Sequence, residues 1–209
     1  MSIVEAITHF DPASCNNVKG VIIFKGKKGT TGSDVKIRLS GFPPNSVHAI
    51  HIHEFGNLTG GCKTTGSHYN PENTEHGSYL IPSAERHAGD LVNNIYSNEL
   101  GNVSLDFFDS LVSVSDIFGR AVVIHSLEDD LGTMGEVVEI DSDKNVTVFP
   151  YNQMEYCYLK RLCLERGYYK NHNMPKTRNA LVRKLETESK KTGNAGGRMC
   201  CSVIGRNSE

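Results

Sequence analysis

Short apolar runs that alternate with polar residues, broken by glycine and asparagine, recur along this chain and set its fold class. The clearest lies at 34–40, where Val35, Ile37 and Leu39 alternate with Lys36, Arg38 and Ser40. A period of two marks a strand with one face buried and the other in water. Similar runs at 18–24, 47–53, 102–107, 120–125 and 199–204 predict further short antiparallel strands. Many short strands with glycine turns point to a sandwich or barrel. The alternation lapses twice. Between 54 and 93 the residues are mostly Gly, Asn, Thr, Pro, Ser and His, a connection far longer than the usual 4 to 6 or so residues, and loops of that length tend to carry function. From 128 to 197 it lapses again, and Met154, Tyr158 and Leu162, then Leu181, Val182 and Leu185, recur at helical spacing. One or two short helices are expected there.

The 209 residues suit one globular domain with an appendage. No apolar stretch approaches the roughly 18 residues needed to cross a bilayer. The first residues carry Glu5 and Asp11 and no cationic start, so they do not read as a secretory signal. The expectation is a cytoplasmic protein without a membrane anchor. A net charge of -2 gives no global attraction to nucleic acid. Cys15, Cys62, Cys157, Cys163, Cys200 and Cys201 are too few and too scattered for a disulfide scaffold, and none forms a C-x-x-C pair. Zinc, if bound, has to be held by histidine.

Seven of the nine histidines lie between His48 and His125. His51 and His53 stand two apart on a predicted strand, so both imidazoles share one face while Ile50 and Ile52 take the other. The long loop adds His68, His76, His87 and Asp90, and the strand ending at His125 adds another imidazole. Six imidazoles and one carboxylate suffice for two sites. Zinc accepts three histidines and an aspartate, an imidazole-rich planar or tetragonal site suits Cu(II), and a histidine bridges two metals through its two ring nitrogens.

Four blocks, HIHEFG from His51, GSHYNP from Gly66, ERHAGDL from Glu85 and TGNAGGR from Thr192, resemble in order the copper/zinc superoxide dismutase family. The likeness covers 18–132 and 188–205. It implies an all-β fold, an eight-stranded antiparallel Greek-key β-barrel of immunoglobulin-like sandwich type. Long metal-binding and electrostatic loops are part of that fold, and the electrostatic loop here carries a partly helical insertion at 133–187. Residues 18–205 are then the domain, 1–17 an N-terminal extension and 206–209 a tail. One copper and one zinc per subunit are implied, copper on His51, His53, His68 and His125, zinc on His68, His76, His87 and Asp90, with His68 the bridge. Asp129 matches the carboxylate that orients ligands of both metals. The implied reaction converts two superoxide anions to oxygen and hydrogen peroxide, with His68 and Arg198 catalytic, Arg198 docking the anion. Glu188, Lys191 and Thr192 match the end of the substrate-steering loop, and Cys62 and Cys201 match the family disulfide, with Cys200 a competitor for it.

The resemblance also implies a symmetric homodimer, matched by Phe55, Gly56, Ile117, Phe118, Gly119, Val203 and Ile204. Met199 stands where proline in some relatives goes with dependence on a copper chaperone, so loading without an obligatory chaperone is expected. In the insertion, Lys160, Arg161, Arg166, Lys170, Lys176, Arg178, Arg183 and Lys184 face only Glu165 between 160 and 184. That local charge focuses small anions or binds a polyanion. A solvated helical surface is favoured over a nucleic-acid site, because no module motif accompanies it. The main alternative function is a redox-silent metal-binding protein on the same barrel. Such proteins tend to lose ligands or the docking arginine, and all seven ligands and Arg198 are present here.

Overall fold

The computed structural model describes residues 2–81, 85–140, 143 and 145–207. One sheet contains β1 (Ile3–Phe10), β2 (Lys19–Lys27), β3 (Ser33–Ser40), β7 (Asn102–Asp109) and β12 (Gly205–Arg206), in the order β12-β1-β2-β3-β7. The other contains β4 (Val47–His53), β6 (Asn94–Tyr96), β8 (Ala121–His125) and β11 (Arg198–Val203), in the order β11-β8-β4-β6. A short strand, β5 (Thr59–Cys62), lies in the long loop, and a hairpin of β9 (Gly135–Ile140) and β10 (Val146–Pro150) lies after β8. Two helices follow, α1 (Tyr156–Glu165) and α2 (Arg178–Thr192). Strands β3 and β7, and β4 and β8, are neighbours without being consecutive, which is Greek-key wiring. The pairing is antiparallel as expected, but no strand pair joins the two sheets among the described residues, so the barrel is an open sandwich.

The alternation in β3 works as the period of two requires. Val35, Ile37 and Leu39 are buried, and Asp34, Lys36 and Arg38 face water. With Phe10, Ile22 and Phe24 they pack against Ile50, Ile52, Val122 and Ile124 of the second sheet. Strands β4 and β8 differ, because they are buried on both faces almost throughout. Their inward isoleucines and valines meet the core; of the outward histidines, His53 is met by the long loop at Gly66 and His68, and His125 by Gly196.

Three boundaries need correction. Residues 1–17 are not an extension, since β1 pairs with β2 over its whole length and sends Ala6, Thr8 and Phe10 inward. The tail beyond 205 begins as β12, hydrogen-bonded to β1, and 208–209 lie outside the described residues. The insertion at 133–187 is partly helical as expected, but it opens with the β9–β10 hairpin, and α2 runs on to Thr192. Glu188, Lys191 and Thr192 are therefore helical rather than part of a loop. The unit has its own core, formed by Tyr151, Met154, Leu159, Leu162, Cys163, Leu181, Val182 and Leu185. Gly193 ends α2 with a left-handed φ of 62°, a conformation that costs glycine little.

Cys200 does not compete with Cys201. Successive side chains on a strand point to opposite faces; Cys200 is buried in the main core and joins Cys15, while Cys201 joins Cys62. The structure thus holds two disulfides, where the scatter of the cysteines suggested no framework. Once Cys62–Cys201 is closed, the shortest loop closed by Cys15–Cys200 passes from Cys15 to Cys62, and chain entropy over about 50 residues is worth about 4 kcal/mol. Non-reducing peptide mapping should recover both pairs, and Cys15→Ser should lower unfolding stability by about 2–4 kcal/mol. Recovery of Cys62 joined to Cys200, or an unchanged unfolding midpoint in Cys15→Ser, would contradict this pairing.

Candidate metal centre

Two strands and one loop bring the histidines together. His51 and His53 project from β4 and His125 ends β8; the register sets His51 opposite Val123, so His125, two residues on, lies diagonally beside it on the same face. The long loop runs back along the end of β4, pairing His68 with His53 as an isolated bridge and donating the Tyr69 N–H to the Ile52 carbonyl at 2.8 Å. Gly89 then crosses so close that a Cβ there would lie 2.3 Å from the Ile52 oxygen. A buried ion pair, Arg86 Nη2 to Asp109 Oδ1 at 2.8 Å, ties the loop to β7.

The result is two groups of four buried ligands, His51, His53, His68 and His125 in one, His68, His76, His87 and Asp90 in the other. Within each group the candidate ligand atoms lie within 4.8 Å of one another. His53 Nε2 and His125 Nε2 are 3.4 Å apart. Asp90 Oδ1 lies 2.9 Å from the Nδ1 atoms of His68 and His76 and 3.0 Å from that of His87. His68 is common to both groups, with Nδ1 turned to the Asp90 side.

The remaining ring nitrogens are engaged elsewhere. His53 Nδ1 faces the Gly66 carbonyl at 3.0 Å and His87 Nε2 the Thr74 carbonyl at 3.2 Å. The Asp129 carboxylate accepts from His51 Nε2 at 2.7 Å and from His76 Nε2 at 2.9 Å, one oxygen to each group. Such partners set the tautomer and the direction of each lone pair. His51 Nδ1 and His68 Nε2 are left buried without a hydrogen-bond partner, and His76 Nδ1 has only the Asp90 oxygen, 2.9 Å away. Orphaned imidazole nitrogens within a few ångströms of other ligand atoms are what a bound cation takes up, so the donor set fits two metals that share His68.

The other expected site residues divide. Arg198 opens β11 opposite His125 and is fixed by the Cys62 carbonyl (2.8 Å), Thr65 Oγ1 (3.0 Å) and the Gly66 carbonyl (2.6 Å). Lys191 and Thr192 line a cleft of about 440 Å³ whose wall includes His68 and His87. Glu188 is not on that wall; it pairs with Lys184 at 2.8 Å. Four of the eight residues of the basic stretch are engaged or buried. Arg161 faces Glu165, Arg166 is buried, Arg178 caps the Met154 and Asn152 carbonyls, and Lys184 holds Glu188. Of the expected dimer residues, Phe55 and Val203 are exposed, whereas Ile117 and Ile204 are buried in the main core.

Several supporting residues carried no signal in the sequence. Asn94 brackets Asp129, accepting its N–H at 2.8 Å and donating to its carbonyl at 2.9 Å. Asn93 donates to the Gly77 carbonyl at 2.9 Å and to Asp129 Oδ2 at 3.3 Å. His48 reaches the His125 carbonyl at 2.9 Å. Asparagines in a turn-rich sequence look like turn residues, and only their partners reveal the role.

Burial dominates the electrostatics. It pushes the imidazole of His53 down to about 2 and that of His68 down to about 3, with neighbouring imidazoles adding to the effect. His125 is held well below the ordinary value by the same causes. At His76 burial also opposes the charge, but Asp129 and Asp90 overcome it and raise its pKa. Burial opposes ionisation of Asp90 and Asp129 too, and the imidazoles around them win, holding both carboxyls below the usual range. In the metal-free protein the three depressed imidazoles are neutral when folded and take up protons on unfolding below about pH 6.5. Their effect is to make stability rise with pH between about 3 and 6.5. His76 has the other sign, since its contribution is present below about 6.5 and is lost as pH rises through its raised folded value. Denaturant unfolding of the metal-free protein should give a lower midpoint at pH 5 than at pH 6.5, and equal midpoints would contradict the depressed set.

Comparison with known proteins agrees with this geometry. A family model described as copper/zinc superoxide dismutase matches residues 18–147. The extracellular superoxide dismutase [Cu-Zn] of Drosophila melanogaster is 33% identical over 209 aligned residues, covering 97% of this chain and 85% of that protein. A superoxide dismutase [Cu-Zn] of Schizosaccharomyces pombe is 40% identical over 120 residues, 56% of this chain and 76% of its own. One from Paramecium bursaria Chlorella virus 1 is 31% identical over 191 residues, 90% of this chain and 73% of its own. Among solved structures, the crystal structure of the clock protein EA4 aligns with a TM-score of 0.65 at 29% identity, covering 98% of this chain and 96% of that one. With the family match spanning more than half the chain and the paired histidine groups in place, the protein belongs to the copper/zinc superoxide dismutase family.

Proposed function

We propose that this site disproportionates superoxide, with His51, His53, His68 and His125 holding copper and His68, His76, His87 and Asp90 holding zinc. The observation that carries the reading is the sharing of His68 between two complete, buried ligand groups. When bound, copper supplies the redox chemistry, oxidising one superoxide to oxygen and reducing a second, with two protons, to hydrogen peroxide; zinc does not change oxidation state.

The chain's own residues do the rest. Asp129 fixes the rings of His51 and His76 and so sets both ligand groups at once. His68 Nε2, buried and without a hydrogen-bond partner, is the atom that holds a proton between the two half-reactions and delivers it to the product. Arg198 keeps a permanent positive charge beside the copper ligands, and three carbonyl and hydroxyl acceptors hold its guanidinium in place to dock the anion. Lys191 is exposed on the cleft wall and carries no ion pair among the described residues, so its charge is available to attract superoxide. Glu188, held by Lys184, has no steering role in this reading.

The homodimer is read from Phe55 and Val203, exposed beside the close approach of Gly56 to Gly119. No described helix is long and apolar enough to cross a membrane. Two disulfides favour an oxidising compartment over the cytoplasm expected from the N-terminal sequence. Recovery of both pairs reduced from thiol-blocked cell extracts would restore the cytoplasmic reading.

Protein loaded from copper and zinc salts alone, as Met199 implies is sufficient, should remove superoxide in pulse radiolysis at the diffusional ceiling that superoxide dismutases reach, about 10⁸ to 10⁹ per molar per second. Arg198→Ala should lower that rate by about 10-fold and flatten its salt dependence. A rate no better than buffer with both metals bound would mean that the ligands serve metal storage. Light scattering should give about twice the 23.0 kDa chain mass, and a monomer would overturn the dimer.

A further inference from the structure

The inserted unit reaches the metal centre through the Asp130 carboxylate and the end of α2. Asp130 is buried, 3% exposed, and its side chain receives the Tyr151 hydroxyl at 2.8 Å, the Ser189 hydroxyl at 2.9 Å and the Asn194 amide at 2.7 Å. Tyr151 comes from the turn after β10 within the insertion, Ser189 from the last turns of α2 and Asn194 from just beyond it, so three separate segments meet on this carboxylate. Asn194 also donates to the Leu185 carbonyl at 2.8 Å. The Tyr151 ring is fully buried in the insertion's own core.

Asp130 adjoins Asp129, whose carboxylate joins His51 to His76. The end of α2 closes on the same pair of residues. Gly193 accepts the Asp130 N–H at 2.8 Å, Lys190 accepts the His76 N–H at 2.8 Å, and a Cβ on Gly193 would fall 2.1 Å from Asp129 Oδ1. The Asp129 backbone is thus held by Asn94, and the residue that follows it is anchored to Tyr151, Ser189 and Asn194. An outer partner of a ligating histidine acts through orientation, and its loss typically weakens metal binding about 10- to 100-fold.

We infer that Tyr151 is a positioning residue, acting through Asp130 on Asp129, and that the inserted unit is thereby a clamp that retains zinc. The inference rests on the zinc ligand assignment above. Tyr151→Phe keeps the ring in the insertion core and deletes only the hydroxyl. In the copper- and zinc-loaded protein it should speed zinc transfer to a chromogenic chelator by about 3-fold, less than the roughly 10-fold or more that losing a direct partner of a ligating histidine brings. With Co(II) in place of zinc, it should also shift the visible absorption bands. Leu159→Ala opens the same core without touching Asp130, and serves as the control for lost stability. A wild-type release rate and unshifted Co(II) bands in Tyr151→Phe would overturn the clamp. So would release in Leu159→Ala that is equally fast for an equal loss of thermal stability. If Tyr151→Phe does not fold, Ser189→Ala removes another hydroxyl from Asp130 and is read by the same outcomes. His87→Ala separates the two ideas, because retention of zinc at wild-type affinity in that variant removes the ligand assignment itself, whereas its loss beside an unaffected Tyr151→Phe removes only the clamp.

Discussion

The Asp129 carboxylate is the contact on which the metal centre depends. It is fully enclosed, and a buried charge without compensation is costly. Here two imidazole N–H groups, the Leu131 N–H and the Asn93 amide supply the compensation. The same bonds give a geometric result, since one rigid planar group fixes two rings from opposite metal groups. Breaking either bond would free the ring it holds and leave the charge short of a partner, which is why satisfied buried networks specify a single arrangement.

That carboxylate has to be carried to its place by a scaffold that the second sheet supplies. β4 is buried on both faces because its inward isoleucines meet the hydrophobic core and its outward histidines meet the loop. The loop is long, so its closure needs anchors, and they are distributed along it: Cys62–Cys201 near its start, the His53–His68 bridge in the middle and the Arg86–Asp109 ion pair towards its end. Each removes freedom from a stretch that has no regular structure of its own. The second disulfide, Cys15–Cys200, fastens the segment after β1 into the core behind the same strand.

The insertion adds a second small core and uses several of its positive charges internally. Pairing Lys184 with Glu188, and Arg178 with backbone carbonyls, stabilises the helices. On the cleft wall Lys190 pairs with Glu75, and Lys191 stands exposed beside them.

How much was legible in the sequence follows from the range of the interactions. Alternation is local, so the strands at 34–40, 47–53 and 120–125 could be read directly, as could the shared face of His51 and His53 and the helical spacing of Leu181, Val182 and Leu185. The grouping of the imidazoles was reached through motif blocks, because ligands separated by up to 74 positions, from His51 to His125, are invisible to any local pattern. β1 was missed because its polar and small residues, Glu5, Ala6, Thr8 and His9, blur the alternation, and only pairing with β2 makes it a strand. The separate partners of Cys200 and Cys201 followed from strand direction only once β11 had a core on one side and a loop on the other. Tyr151, Asn94 and Asn194 acquired their roles in the same way. The sequence by itself determined which segments are strands and which side chains are fit to bind metal, since both are properties of near neighbours; the tertiary structure decided which of those side chains meet, because contact across the chain depends on how two sheets, a loop and a helix are packed together.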